Sequence, residues 1–400
     1  MAGLNETPSS MRLHIGFFGK RNAGKSSVVN AITNQEMSVV SDVLGTTTDP
    51  VTKSMELLPL GPVVIIDTPG FDDEGTLGEM RVKRTKQILS RTDVAVLVVD
   101  ATVGKTAIDD ELIDIFKSKE IPFVIAYNKS DLNEKFDLLE NEILVSAKTK
   151  QNIEKLKEKI GEFSKAETEE KVICSDLLKA DDIVVLVTPI DESAPKGRMI
   201  LPQVQAIRDI LDGNCICVVT KETQLEATLN ALNKTPRMVI TDSQAFNLVK
   251  TIVPKNIPLT SFSILMARLK GFLNIAVKGA DTLKILKDGD TVLISEGCTH
   301  HRQCNDIGAV KLPNWIKSFT GKDIQFEWTS GNEFPDDLSK YSLIVHCGAC
   351  MLNEREMLSR RKQSVIFDVP FTNYGVIIAY MNGILKRSLE VLPDTLKLID

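Results

Sequence analysis

The stretch Gly19-Lys20-Arg21-Asn22-Ala23-Gly24-Lys25-Ser26 decides the fold. It follows a short β-like run, His14 to Phe18, and leads into a helical pattern from Ser27 to Ile32. G-x-x-x-x-G-K-[ST] between a strand and a helix is the spacing of a phosphate-binding loop. Its glycines let successive backbone N–H groups curl around phosphate oxygens at a helix N-terminus. Lys25 is then placed to reach the β and γ phosphates, and the Ser26 hydroxyl to take a Mg²⁺ coordination place. Gly19, Asn22, Ala23, Gly24, Lys25, Ser26 and Ser27 are the candidate phosphate contacts.

Four further motifs follow in order. The buried-strand pattern Val63 to Ile66 ends in Asp67-Thr68-Pro69-Gly70, where Asp67 can hold Mg²⁺ through water and the Gly70 N–H can meet a γ-phosphate. Upstream, Gly45-Thr46-Thr47-Thr48-Asp49 reads as a polar switch loop, with Thr47 the threonine expected to complete the Mg²⁺ shell. Downstream, the strand Phe123 to Tyr127 delivers Asn128-Lys129-Ser130-Asp131. A carboxylate at Asp131 can accept both N–H groups on a guanine edge, which adenine lacks, so the nucleotide expected is GTP. After strand Ile143 to Val145, Ser146-Ala147-Lys148 backs the guanine carbonyl. Over about Arg12 to Lys165 the chain resembles the translation-factor-related G proteins of the Era and MnmE type. Phe71 stands where Ras-like proteins carry a water-orienting glutamine, and Thr48 replaces the usual switch arginine. Asn22 matches the asparagine that coordinates K⁺ in the potassium-dependent members. The resemblance implies slow GTP hydrolysis stimulated by K⁺, with Lys25, Thr47, Asp67 and Gly70 as the catalytic set.

Four hundred residues are enough for two or three domains. A hydrophobic share of 43% and a charged share of 26% suit a globular chain with several cores. The net charge of −6 disfavours a nucleic-acid binder. Met1 to Arg12 has no apolar h-region, and Gly3 is misplaced for myristoylation. The longest apolar runs, such as Val94 to Val99 and Ile183 to Val187, fall far short of the roughly 20 residues of a membrane span. The expected location is the cytoplasm.

Glu162 to Lys171 reads as a last helix plus linker. A small α/β unit follows, with strands at Asp182 to Pro189, Cys215 to Thr220 and Arg237 to Thr241. Its helices are expected at Leu201 to Leu211, stopped by Gly213, at Gln224 to Leu232 and at Gln244 to Ile252. No catalytic constellation is visible there. In the last third, strand-like Thr291 to Ile294 runs into Cys298-Thr299-His300-His301. A second strand, Ser342 to Val345, runs into His346-Cys347-Gly348-Ala349-Cys350 and a helix. Both sets of soft ligands are expected in loops just past strand ends. The residues alone leave a redox dithiol, a tetrahedral zinc site, a three-cysteine [4Fe–4S] cluster or unconnected buried cysteines open. Cys304 and His301 read as bystanders.

Cys298-x-His300, then 45 residues, then His346-Cys347-x-x-Cys350, behind an Era-like G domain, resembles the HydF family of [FeFe]-hydrogenase maturation GTPases. The run Asp306-Ile307-Gly308-Ala309-Val310-Lys311-Leu312-Pro313 is also similar to that family. The resemblance implies a [4Fe–4S] cluster on Cys298, Cys347 and Cys350, with His300 and His346 beside it as labile or supporting groups. It further implies a carrier of a di-iron precursor, built with the radical-SAM maturases HydE and HydG and delivered to apo-[FeFe]-hydrogenase. The expected architecture is an α/β homodimer with a P-loop G domain at 1–170, a dimerisation domain at 171–265 and a cluster-binding domain at 266–400. The rival is a ribosome- or tRNA-associated GTPase with a zinc-stabilised C-terminal domain.

Overall fold

The computed structural model describes residues 7–35, 51–68, 85, 87–133, 137–165, 171–190, 199–298 and 306–399. The chain divides into two compact units, Met1–Glu169 and Glu170–Asp400. Both are α/β, as the sequence pattern requires.

The first unit is built on a six-stranded sheet ordered β2-β3-β1-β4-β5-β6. The strands are β1 (Leu13–Phe18), β2 (Val51–Leu57), β3 (Gly61–Asp67), β4 (Val94–Asp100), β5 (Phe123–Asn128) and β6 (Glu142–Leu144). Among the described residues, only β2 is antiparallel to its neighbour. The apolar run Val94 to Val99 is buried throughout, as expected of a parallel strand covered on both faces. One face packs Val96 and Val98 against Val28, Ile32 and Leu156. The other packs Leu97 and Val99 against Leu112 and Phe116 of the helix Ala107–Ser118. That helix opens with a capping box, in which Thr106 N–H donates to Asp109 Oδ2 at 2.9 Å. The strands β1, β3 and β5 all run in parallel, so their C-terminal ends gather the loops that carry the nucleotide motifs.

The second unit holds two four-stranded parallel sheets. The first is ordered β10-β9-β7-β8, with β7 (Ile183–Val187), β8 (Ile216–Thr220), β9 (Met238–Thr241) and β10 (Leu259–Ser261). The second is ordered β12-β11-β13-β14, with β11 (Thr291–Glu296), β12 (Gln325–Ser330), β13 (Leu343–His346) and β14 (Phe371–Asn373). A single apolar cluster joins them, running from Val185, Val187 and Val239 through Ile264 and Ala276 to Ile294 and Ile344. Ser263, Asn373 and Gly375 stitch the same junction: Asn373 Nδ2 donates to the Ser263 carbonyl at 2.9 Å, and Gly375 N–H to Ser263 Oγ at 3.1 Å. Two strand-to-helix turns share one device, in which the last strand residue caps the next helix. Ser261 Oγ accepts from Ile264 N–H, and Asn373 Oδ1 from Val376 N–H. Gly279 lies against the β14 backbone, where an added Cβ would fall 2.1 Å from the Phe371 carbonyl oxygen. Only glycine permits that approach. Gly213 ends the helix Leu201–Asp212, as its position in the sequence suggests.

Candidate functional site: a nucleotide cradle and a cysteine centre

The first unit presents its loop as the spacing predicts. Gly19 has φ +135 and sits so close to β4 that a Cβ would lie 2.3 Å from the Val98 carbonyl. Gly24, at φ +88, would meet Asn128 Nδ2 at the same distance. Asn22 occupies the left-handed region at φ 62, which asparagine tolerates better than most residues. Lys25 begins the helix Lys25–Thr33, and its buried ammonium donates to the carbonyls of Gly19 at 2.9 Å and Lys20 at 2.7 Å. The side chain is thereby folded back along the loop, at the position from which an ammonium reaches phosphate oxygens. Ser27 follows in the first helical turn, half-buried.

Three motifs distant in sequence are brought onto this loop. Ser26 Oγ donates to Asp67 Oδ2 at 2.7 Å, joining the two groups that would serve Mg²⁺. Asn128 donates from Nδ2 to the Ala23 carbonyl at 3.0 Å and accepts at Oδ1 from Ala147 N–H at 3.1 Å. One amide thus ties the phosphate loop to the base loop. Asp131 Oδ1 accepts from Ser146 Oγ at 2.7 Å, tying the Asn128–Asp131 and Ser146–Lys148 motifs together. Lys129, at φ 67, pairs with Asp100 at the end of β4, and Lys148 is exposed. Sequence reasoning missed Asp100; the signal was its place at the C-terminal end of a central parallel strand. Thr47 and Gly70, the other expected catalytic residues, lie outside the described residues, as does Phe71.

In the second unit β11 and β13 are parallel neighbours with Ser295 opposite His346. The Cys347 N–H donates to the Ser295 carbonyl at 2.9 Å, carrying the pairing one residue further. Beyond the strand ends the two loops meet at sulfur. Gly297 N–H donates to Cys347 Sγ at 3.1 Å and Ala349 N–H to the same sulfur at 3.4 Å. Cys298 is the next residue after that donor. Ala349 takes φ 57, turning the chain between Cys347 and Cys350. None of these cysteines is in a disulfide. Burial pushes the Cys347 thiol up, while its two N–H donors pull it back. Burial pushes Cys350 up to about 12, with the neighbouring Cys347 adding to the rise and the buried Lys270 opposing it. A thiol pair so placed ionises on meeting a metal cation rather than on its own. Sulfurs that accept backbone N–H bonds are suited to thiolate ligation, the donor chemistry that an iron–sulfur cluster would need. Among the described residues, no three His, Cys, Asp or Glu side chains are gathered tightly enough to hold a single metal ion.

His346 departs from its expected setting. It is the last residue of β13 rather than part of a loop, is fully buried, and stacks on Phe371 with ring centroids 5.8 Å apart. Its Nδ1 lies 2.9 Å from the Cys347 carbonyl and its Nε2 3.0 Å from the Arg360 guanidinium. Both ring nitrogens are engaged, and the ring stands directly behind Cys347. Burial holds the ring far below the usual histidine range, at about 3, and the Arg360 charge acts in the same direction. His300, His301 and Cys304 lie outside the described residues. Sequence reasoning also missed Glu296, a buried carboxylate two residues before Cys298 that accepts from the Tyr374 hydroxyl at 3.1 Å.

Among the described residues, no helix is long and apolar enough to cross a membrane. Comparison with curated proteins finds relatives of the first unit. The chain is 34% identical over 174 residues to GTPase Der of Wolinella succinogenes, covering 39% of this chain and 36% of that one. It is 34% identical over 155 residues to the tRNA modification GTPase MnmE of Lactococcus lactis subsp. cremoris, covering 38% and 33%. The chain thus spans about a third of the length of these relatives. Residues 14–129 match the family described as 50S ribosome-binding GTPase. Residues 173–271 match the hydrogen maturase F dimerization domain, and residues 274–391 the hydrogen maturase F tetramerization domain. With two family-specific segments covering almost the whole second unit behind a GTPase domain, the chain belongs to the hydrogen maturase F family.

Proposed function

We propose that this protein is a cytoplasmic scaffold of [FeFe]-hydrogenase maturation. It binds GTP with Mg²⁺ in its first unit and holds a [4Fe–4S] cluster on Cys298, Cys347 and Cys350 in its second. The observation that carries the reading is the meeting of the two cysteine loops, with Gly297 N–H on Cys347 Sγ at 3.1 Å. A cluster takes each thiolate on a separate iron, so its ligands need not converge on one point as those of a lone zinc ion do. Three protein thiolates leave one iron able to accept an incoming group, which suits a carrier of a di-iron precursor received from HydE and HydG and passed to apo-[FeFe]-hydrogenase. GTP binding and hydrolysis regulate exchange of these partners. The second unit assembles the chain as a homodimer through the segment 171–265, and 266–400, which contains the match to a tetramerization domain, carries the cluster and can pair such dimers further.

The test is anoxic purification and iron–sulfur reconstitution, read by absorption and EPR. A broad charge-transfer absorption and a reduced [4Fe–4S]⁺ signal are expected, both lost in Cys347→Ser with GTPase activity retained. A colourless protein that takes up stoichiometric zinc and refuses iron sinks the scaffold reading. Asn22 is proposed as a K⁺ ligand in the loop, so hydrolysis should run faster in KCl than in NaCl. Equal initial rates in the two salts would remove that role.

A further inference from the structure

We propose that Arg360 is a positioning residue of the cysteine centre. Anchored by Glu356, it fixes His346 as the Nδ1–H tautomer behind Cys347 and sets a permanent positive charge behind the loop that would hold an anionic cluster. The inference rests on reading the cysteine loops as an iron–sulfur site.

Arg360 is 2% exposed and lies on the helix Glu354–Ile366. One guanidinium nitrogen, Nη1, reaches both Ser295 Oγ at 3.1 Å and His346 Nε2 at 3.0 Å. Those two residues are the register pair of β11 and β13, three residues before Cys298 and one before Cys347. The other nitrogen, Nη2, donates to Glu356 Oε1 at 2.6 Å and the Gly331 carbonyl at 2.8 Å. The guanidinium lies 5.1 Å from the centre of the Phe334 ring, and its Nε finds no hydrogen-bond partner.

A buried ion pair with an unsatisfied donor is a poor way to fill a core, because desolvation offsets much of the attraction. An apolar side chain would pack this space at least as well. What the pair supplies is charge and direction. Arginine stays protonated, so His346 Nε2 must accept from it and the ring hydrogen must sit on Nδ1. That hydrogen then points at the Cys347 carbonyl, orienting the peptide that leads into Gly348 and Cys350. Three thiolates around an iron–sulfur core carry net negative charge, and reduction adds more. A fixed cation close by therefore favours the reduced form, whereas the Glu356 carboxylate opposes it.

Two substitutions in the full-length reconstituted protein test this with opposite signs. Arg360→Met should move the midpoint potential more negative, so that the reduced fraction at the wild-type midpoint falls severalfold. Glu356→Gln should move it more positive, with cluster content unchanged in both. Wild-type potentials in both variants, or shifts of one sign, would reduce the pair to a structural ion pair. If either variant fails to fold, histidine ¹⁵N–¹H correlation spectra of the metal-free wild-type chain still decide. An Nδ1–H tautomer at His346 is expected, and an Nε2–H tautomer overturns the proposal. A wild-type protein that takes no cluster overturns the scaffold reading as well, an outcome distinct from a cluster whose potential ignores Arg360.

Discussion

Lys25→Ala is expected to lower GTP hydrolysis by about 10³-fold or more, the order lost when a preorganised cation or donor is removed from a transferring phosphoryl group. The ammonium is buried and held by two carbonyls of its own loop, so it needs little rearrangement to meet the phosphates. Alanine leaves the loop fold intact because Gly19, Gly24 and the Asn128 amide hold it independently. The loss should therefore be specific to nucleotide. Steady-state phosphate release measures it, and iron content and EPR of the reconstituted variant should match the wild type. Joint loss of hydrolysis and cluster would refute the independence of the two centres.

Asp131→Asn should weaken GTP binding by roughly 10²–10³-fold while improving that of xanthosine triphosphate. A carboxylate facing the guanine edge accepts two N–H bonds, each of the charge-assisted kind that contributes about 1.5–3 kcal/mol. An amide keeps one acceptor and offers a donor, which clashes with the guanine amino group and suits the carbonyl of xanthine. Ser146 Oγ donates to Asp131 Oδ1 at 2.7 Å and can donate equally to an amide oxygen, so the orientation should survive the change. Calorimetric titration with both nucleotides gives the answer. Unchanged GTP affinity would show that the base is read elsewhere.

How much of this could be read in advance depends on the range of the interactions. The phosphate loop was legible as a strand–loop–helix unit because it acts through backbone geometry over a few residues, between a strand and a helix that show their own periodicity, whereas the switch loop at 45–49 and Gly70 lie outside the described residues. Asn128 and Asp131 were legible for the same reason, although the Asn128 contacts with Ala23 and Ala147 are long-range. The cysteine loops were legible as strand endings. His346 was assigned to the wrong side of such an ending, because pairing of β13 with Ser295 and Asn373 extends the strand by one residue. β14 spans three residues, too few for any alternation to show, and β12 is a half-exposed edge strand. Arg360 and Glu356 were invisible for a different reason. Their helix, Glu-Arg-Glu-Met-Leu-Ser-Arg-Arg-Lys-Gln, is so polar that its composition carries no sign of burial. Gly331, Ser295 and His346 come from remote segments to enclose it.

The common core of the second unit has a mechanical meaning. Ser263 lies two residues after β10, and the turn carrying Gly348 passes within van der Waals reach of it. Arg387 clamps the carbonyls of Val253, Pro254 and Ile257 from the far end of the chain. Among the described residues, the sheet of β7–β10 and the cysteine turn share one core. The two sheets should therefore melt, resist proteases and exchange amide hydrogens as one cooperative block.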